Sequence, residues 1–336
     1  MVTVERTPSG KPQLLHHGRP PWHAVLLVLA MMTLAVMHLP STTDLDESVA
    51  KPATFVRRIF PQYMSVRMLC GVRALSAVFI IGMSLQSVLV SHQPGQATTF
   101  VVPYLPKSKL QRGQSVSLRG FYCQAPFTVW AWNLLGLSFA VNAYLTYASS
   151  LSSGLDPKPA NVHPWLLRAG VVLFETAAPL TLLVSAVVTY AIWPRALEAR
   201  NVEDPTRTLK TFRSLAYHNA NVAFAMAEVA LWGGLSVRRQ DVSLSILFGC
   251  CYILFAWTIR NWWNPRAGPQ FLYFFLDTTL GYTTTMALVV LCGVLMAFYG
   301  LFCLLQVTLD TYLGKSFLAH VLAWVLVCAA VGRVRD

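Results

Sequence analysis

The stretch Leu215–Trp232, LAYHNANVAFAMAEVALW, decides how the chain is read. It is apolar enough to cross a bilayer, yet it carries His218, Asn219, Asn221 and Glu228. Such groups are costly in hydrocarbon, and they face a bundle interior, pair with one another or do chemistry. At 100° per residue, Asn221 stands roughly 60° from His218 and Glu228 roughly 80° from it. The three share one side of a helix, which leaves the other side for lipid. Two readings follow: hydrogen-bonded glue between helices, or a functional stripe.

The composition around this stretch agrees with a membrane setting. Hydrophobic residues make up 55% and charged residues 12% of the 336. Soluble domains carry about twice that share of charge, so the prediction is an all-α, polytopic transmembrane helical bundle. The net charge of +12 does not point to nucleic acid. The basic residues lie between the apolar runs, where they set orientation and meet anionic headgroups. Membrane lipids are therefore the expected surroundings. The seven cysteines show no CxxC spacing, and most lie inside apolar runs. We expect no disulfide framework, no metal site and no cofactor.

Hydropathy marks the spans. The apolar runs are Trp22–Leu39, Ala74–Ser91, Pro126–Tyr147, Ala169–Trp193, the opening stretch, Leu244–Trp263, Thr283–Val307 and the short Phe317–Val331. They predict about eight spans. Phe271–Asp277 is too short to cross and reads as re-entrant or interfacial. Three consecutive regions result: 1–70, basic with one extra hydrophobic span; 71–308, the transmembrane core; and 309–336, a short hydrophobic helix with a basic tail. With eight spans, 16 of the 26 Lys and Arg residues fall on the side of both termini, which predicts that the termini are cytoplasmic. The endoplasmic reticulum and the plasma membrane are the expected compartments.

This topology sorts polar residues by depth. The third and fifth runs enter from the same side, so Thr128 and His218 share a leaflet. Arg260 ends the sixth run on that side, and Asp277 follows it. A threonine and a histidine in reach of each other can serve as nucleophile and base. Asp277 could orient the imidazole as the third member of a triad does, and Arg260 could hold a carboxylate. The simpler roles are a helix cap or back-bond for Thr128 and snorkelling to the headgroups for Arg260. Glu228 lies about 15 Å further along than His218, and Glu175 and Asn142 reach a similar depth. These read as buried structural groups, with the two acids as each other's partners and sharing a proton. At that depth Glu228 would not touch the site, so Glu228→Gln is expected to fold.

Three motifs carry a family resemblance. The helix start Phe127–Gly136 (FTVWAWNLLG), His218-x-x-Asn221-x6-Glu228 and Tyr273–Asp277 (YFFLD) follow one another along the chain. Together they resemble the androgen-induced-gene and androgen-dependent TFPI-regulating membrane proteins and the related Rolling-stone proteins, although the proline usual in the third motif is missing. The resemblance covers residues 120–308. It implies an integral membrane threonine hydrolase that cleaves lipid esters, possible substrates being fatty acid esters of hydroxy fatty acids. By that resemblance Thr128 would be the nucleophile and His218 its partner; the supporting roles of Asn221, Arg260 and Asp277 come from the reading of the residues themselves. Rolling-stone-like members are tied to cell fusion, so a non-catalytic membrane protein stays open. So does a proton-coupled transporter using Glu175 and Glu228.

Overall fold

The structure is a computed structural model that describes residues 4–6, 12–14, 18–50, 54–93, 98–101, 105–110, 115–151, 162–197, 206–263 and 269–334. Its elements follow the apolar runs. Strands β1 (Val4–Arg6) and β2 (Pro12–Leu14) pair antiparallel. Helices α1 (Trp22–Met37), α2 (Thr42–Ala50) and α3 (Val66–Val90) come next. A second antiparallel pair follows, β3 (Thr98–Val101) with β4 (Ser115–Leu118), and precedes α4 (Phe127–Leu151). Helix α5 (Pro164–Val187) runs through a π turn, Val188–Ile192, into α6 (Trp193–Leu197). The opening stretch lies in four contiguous pieces: α7 (Phe212–Leu215), a π turn over Ala216–Ala220, α8 (Asn221–Ala227) and a π turn over Glu228–Trp232. The chain ends in α9 (Val242–Ile259), α10 (Tyr282–Tyr312) and α11 (Phe317–Val331).

The helix starts are chemically marked. His163 accepts from the Trp165 N–H ahead of Pro164, which can open a helix because it has no N–H to lose. Thr211 and Ser316 cap α7 and α11 with their hydroxyls. By length and composition five helices could cross a membrane, or six if the bent α1–α2 pair is one span. The remaining two runs fall short for identifiable reasons. Phe212–Trp232 carries His218, Asn219, Asn221 and Glu228, which lower its hydropathy, and α11 has only 15 residues. The two hairpins are additions to the all-α expectation, both in polar connections where backbone groups need partners.

The chain divides into two compact units, neither of which is one of the consecutive regions read from hydropathy. The first holds residues 1–37, 86–126 and 246–294; the second holds 38–85, 127–245 and 295–336. In the first, His23 Nδ1 meets Thr285 Oγ1 at 2.6 Å, and its ring stacks on Tyr282. Tyr252 donates to the Ala125 carbonyl at 3.0 Å, and Thr278 donates to the Gly18 carbonyl at 2.6 Å. Gly18 has φ +54, and a Cβ there would lie 2.6 Å from Pro269, so only glycine fits.

The second unit is built on close helix contacts. An added Cβ at Gly136 would stand 2.5 Å from Ile80, and one at Gly170 would stand 2.5 Å from Leu145. Small residues let the backbones approach, as is common between membrane helices. Trp132 is fully buried and donates to the Ile80 carbonyl at 2.9 Å. Its ring lies edge-on to Phe79 and Tyr217, and Phe79 and Phe139 extend the cluster to Phe224.

Beside this apolar core lies a fully buried ion pair, Arg73 on α3 with Glu228, both without exposed surface. Arg73 Nε donates to Glu228 Oε2 at 3.2 Å, and Nη2 donates to Oε1. Arg73 Nη1 donates to the Phe55 carbonyl at 2.7 Å and to Thr146 Oγ1 at 2.6 Å. Removing one member of such a pair strands the other charge, which costs about 3–5 kcal/mol, whereas replacing both with apolar residues can be neutral. The pairing with Arg73 adds a stability cost to the expected Glu228→Gln variant. We predict that Glu228→Gln lowers stability by about 3–5 kcal/mol, while Arg73→Met with Glu228→Leu recovers most of the loss. Thermal melts of the purified variants check this; equal melts for Glu228→Gln and the wild type would count against it.

Candidate functional site

The site residues named by sequence can now be located. Within the second unit, Thr128 is the second residue of α4 and half-buried. Its hydroxyl makes no hydrogen bond among the described residues. The ordinary fate of a helical threonine is visible elsewhere, where Thr146, Thr176, Thr258 and Thr308 each donate to the carbonyl four residues back. Thr128 has neither that bond nor a capping bond.

His218 sits in the π turn Ala216–Ala220. A π turn inserts one residue into a helix and upsets the regular backbone bonds, and such turns recur at functional sites. Here two side chains restore the pairing. Ser185 on α5 donates to the His218 carbonyl, and Asn221 Oδ1 accepts from the Val222 N–H at 2.6 Å and lies 2.9 Å from Ser185 Oγ. Both acceptor duties of Asn221 fall on Oδ1. Its Nδ2 is buried with no partner, as is His218 Nδ1. His218 as a whole is half-buried and so has a side open to its surroundings. Its neighbour Asn219 is engaged at both ends, donating to the Arg333 carbonyl at 2.8 Å and accepting from the Arg333 N–H at 3.2 Å.

No hydrogen bond joins Thr128 to His218 among the described residues. Their segments meet one helical turn away, where the Trp132 and Tyr217 ring centroids are 5.3 Å apart. Arg260 and Asp277 belong to the first unit. Asp277 Oδ1 accepts from the Thr279 N–H at 2.9 Å and from its hydroxyl at 2.7 Å, and Oδ2 accepts from Ser108. Both carboxylate oxygens therefore organise their own loop. Arg260 Nη1 donates to the Trp257 carbonyl, and Nε is buried without a partner. Burial, and after it the charge of Arg19, hold the Arg260 guanidinium below its ordinary pKa.

The deep acids are not each other's partners, which corrects the sequence reading. Glu228 pairs with Arg73, and Glu175 takes Arg238 at 2.8 Å. Asn142 joins α4 to α5 by donating to the Gly170 carbonyl at 2.9 Å. Four residues that matter here were missed from sequence. Arg73 passed for the end of a linker, although the apolar run Met68-Leu-Cys-Gly-Val leads into it. Arg238 and Asp241 passed for loop charges, although their three-residue spacing suits a shared turn. Nothing in the sequence marks Ser185 apart from other small residues of its run.

The C-terminal helix closes this unit. His320 Nδ1 lies 2.8 Å from the Ala230 carbonyl in the second π turn, and Trp324 donates to the Ala223 carbonyl at 2.9 Å. The last carbonyls of α11, at Ala330 and Val331, accept from Tyr190 and Thr189 of the π turn after α5. Compared with family models, curated proteins and solved structures, the chain finds no match, so the resemblance rests on the three quoted motifs.

The single Ser185 O–H can serve either the His218 carbonyl or Asn221 Oδ1, and its loss leaves that buried acceptor short of a donor, at about 1–3 kcal/mol. Ser185→Ala is predicted to lower stability by that amount, and Ser185→Thr to recover part of it. Chemical denaturation in detergent measures both, and no change in Ser185→Ala would show that the π turn does not depend on this contact.

Proposed function

We propose that the chain is an integral membrane, multi-pass hydrolase of lipid esters, with Thr128 as nucleophile and His218 as its base. The observation that supports it is a coincidence of roles. Among the described residues His218 Nδ1 and Asn221 Nδ2 are buried without a partner and the half-buried Thr128 hydroxyl makes no hydrogen bond, and the motifs name these same three residues. A buried polar group left unpaired needs an explanation, and a reaction site for a polar substrate group supplies one. In this reading about eight spans hold the site, both termini are cytoplasmic, and the membrane is that of the endoplasmic reticulum or the cell surface.

The chemistry follows from the groups. Thr128 Oγ attacks the ester carbonyl while the His218 imidazole takes the hydroxyl proton, directly or through one water. The acyl–oxygen bond to the alcohol breaks, and His218 returns the proton to the departing alkoxide. Water then attacks the acyl-threonine, again giving its proton to His218, and the fatty acid leaves. Asn221 Nδ2 is a donor for the negative oxygen of each tetrahedral intermediate, a contact type worth about 10²–10³ in rate. A substrate dissolved in the bilayer reaches the half-exposed Thr128 and His218 sideways, with its acyl chains among the helices. Fatty acid esters of hydroxy fatty acids fit this description.

Purified protein assayed with such an ester tests the proposal. Thr128→Ala and His218→Ala should each lose at least about 100-fold in turnover at unchanged melting temperature, and Thr128→Ser should keep some activity. Wild-type turnover in either Ala variant, or no hydrolysis of any lipid ester by the wild type, removes the proposal and favours a non-catalytic role.

A further inference from the structure

The second unit contains another polar centre, away from the groups assigned to catalysis. Arg238 lies in the connection that follows the second π turn, and Asp241 stands three residues on, in a short 3₁₀ turn. Glu175 reaches them from the middle of α5. Glu175 is 0% exposed and Asp241 1%. The connection is held firmly, because three residues on one face of α10 grip its backbone. Tyr299 donates to the Arg238 carbonyl at 2.8 Å, Cys303 donates to the Val237 carbonyl at 3.7 Å, and Gln306 accepts from the Val237 N–H at 2.9 Å. The spacing 299, 303, 306 is that of a single helix face.

The guanidinium has five N–H groups, and their directions can be counted. Nε donates to Glu175 Oε1 at 2.8 Å. Nη1 donates to the Asp44 carbonyl at 3.0 Å and to Ser48 Oγ. Nη2 is shared between Glu175 Oε2 at 3.5 Å and Asp241 Oδ2 at 2.5 Å. The contact with Asp241 is an ion pair by distance only, since Oδ2 is buried and has no hydrogen bond of proper direction. The two carboxyls thus converge on the same nitrogen, Nη2.

The charges do not balance. Two ionised carboxylates facing one guanidinium leave one negative charge on groups that are themselves buried, Glu175 at 0% and Asp241 at 1% exposure, beside an Arg238 at 16%. Among the described residues no neighbour offsets it. Asp44 is a further acid whose carboxylate is turned to Ser41, Arg239 is exposed to solvent, and Tyr299 and Cys303 bring no positive charge. An uncompensated buried charge is costly enough that the group takes up a proton instead. Carboxyls this close titrate as one unit. A proton, unlike any larger ligand, needs no cavity.

We propose that Glu175 and Asp241 together bind a single proton, making the Arg238 centre a buried proton-binding site of this membrane protein. The proton comes from water. One carboxylate becomes a carboxylic acid, its O–H donates to the other carboxylate, and Arg238 balances the charge that remains. At alkaline pH the proton leaves, the centre carries an unmatched negative charge, and the fold around the 233–241 connection weakens.

Infrared difference spectroscopy on the full chain in detergent, at pH 7 against strongly alkaline buffer, tests the site. The wild type should show the carbonyl stretch of a protonated carboxylic acid, lost at alkaline pH. Glu175→Gln and Asp241→Asn each leave one carboxylate for one guanidinium, so each should abolish that band, while the surface control Asp46→Asn keeps it. A second readout does not depend on the band. Wild-type melting temperature should fall on going alkaline, and Asp241→Asn should flatten that fall. Absence of the band in the wild type, its survival in either centre variant, or an unchanged alkaline fall in Asp241→Asn overturns the proposal.

Discussion

The constraint on which the rest of the structure turns is that a charge taken out of water must be answered by the protein itself, as Arg73 and Glu228 answer each other. Lipid offers no replacement for a lost hydrogen bond. The pair joins α3 to the end of the opening stretch, and Thr146 and the Phe55 carbonyl complete the guanidinium's partners. A side chain on residue 233 would collide with it, since an added Cβ would stand 2.2 Å from Arg73 Nη2 and 2.3 Å from Glu228 Oε1. Gly233 is therefore part of the pair's housing, and the turn that leads toward Arg238 starts from a position the pair dictates.

The same demand explains how an irregular helix is tolerated. Three π turns interrupt the regular backbone pairing; side chains from elsewhere in the unit stitch the two in the opening stretch, and the one after α5 lends its own side chains to α11. Ser185 serves the first turn of the opening stretch, His320 serves the second, and Thr189 and Tyr190 bind the end of α11. Against so consistent a rule, the few groups left unanswered stand out. Thr128, His218 and Asn221 are among them, and this contrast gives the proposed reaction its footing. The Arg238 centre is a different kind of exception, with donors satisfied and charge out of balance.

Much of the fold was legible because hydrophobic length is a local property. The apolar runs at 126–147, 169–193 and 283–307 became α4, α5 and α10 with small shifts of boundary. Partners were less legible, because they depend on which helices meet. Glu175 and Glu228 looked like a pair by depth alone, yet each found an arginine that hydropathy had assigned to a loop. The π turns also defeat counting at a fixed 100° per residue, since an extra residue rephases everything after it. Glu228, which that counting placed beside His218, pairs with Arg73. Asp277 was named for an orienting role from its position after Arg260, but its carboxylate oxygens serve Thr279 and Ser108. Thr128 was visible only through a motif, for nothing in periodicity separates a free threonine from a capping one.

The central claim is that Thr128, His218 and Asn221 make a polar site kept free within a largely hydrogen-bonded unit. Histidine modification reads this directly. His218 is half-buried with Nδ1 unpartnered, whereas His320 is buried with both ring nitrogens near carbonyl oxygens. Brief treatment of the folded protein with diethyl pyrocarbonate, followed by mass spectrometric mapping, should modify His218 and spare His320 until the protein is unfolded. Modification of His320 in the folded protein at a rate equal to that of His218, or an inert His218, would contradict the account.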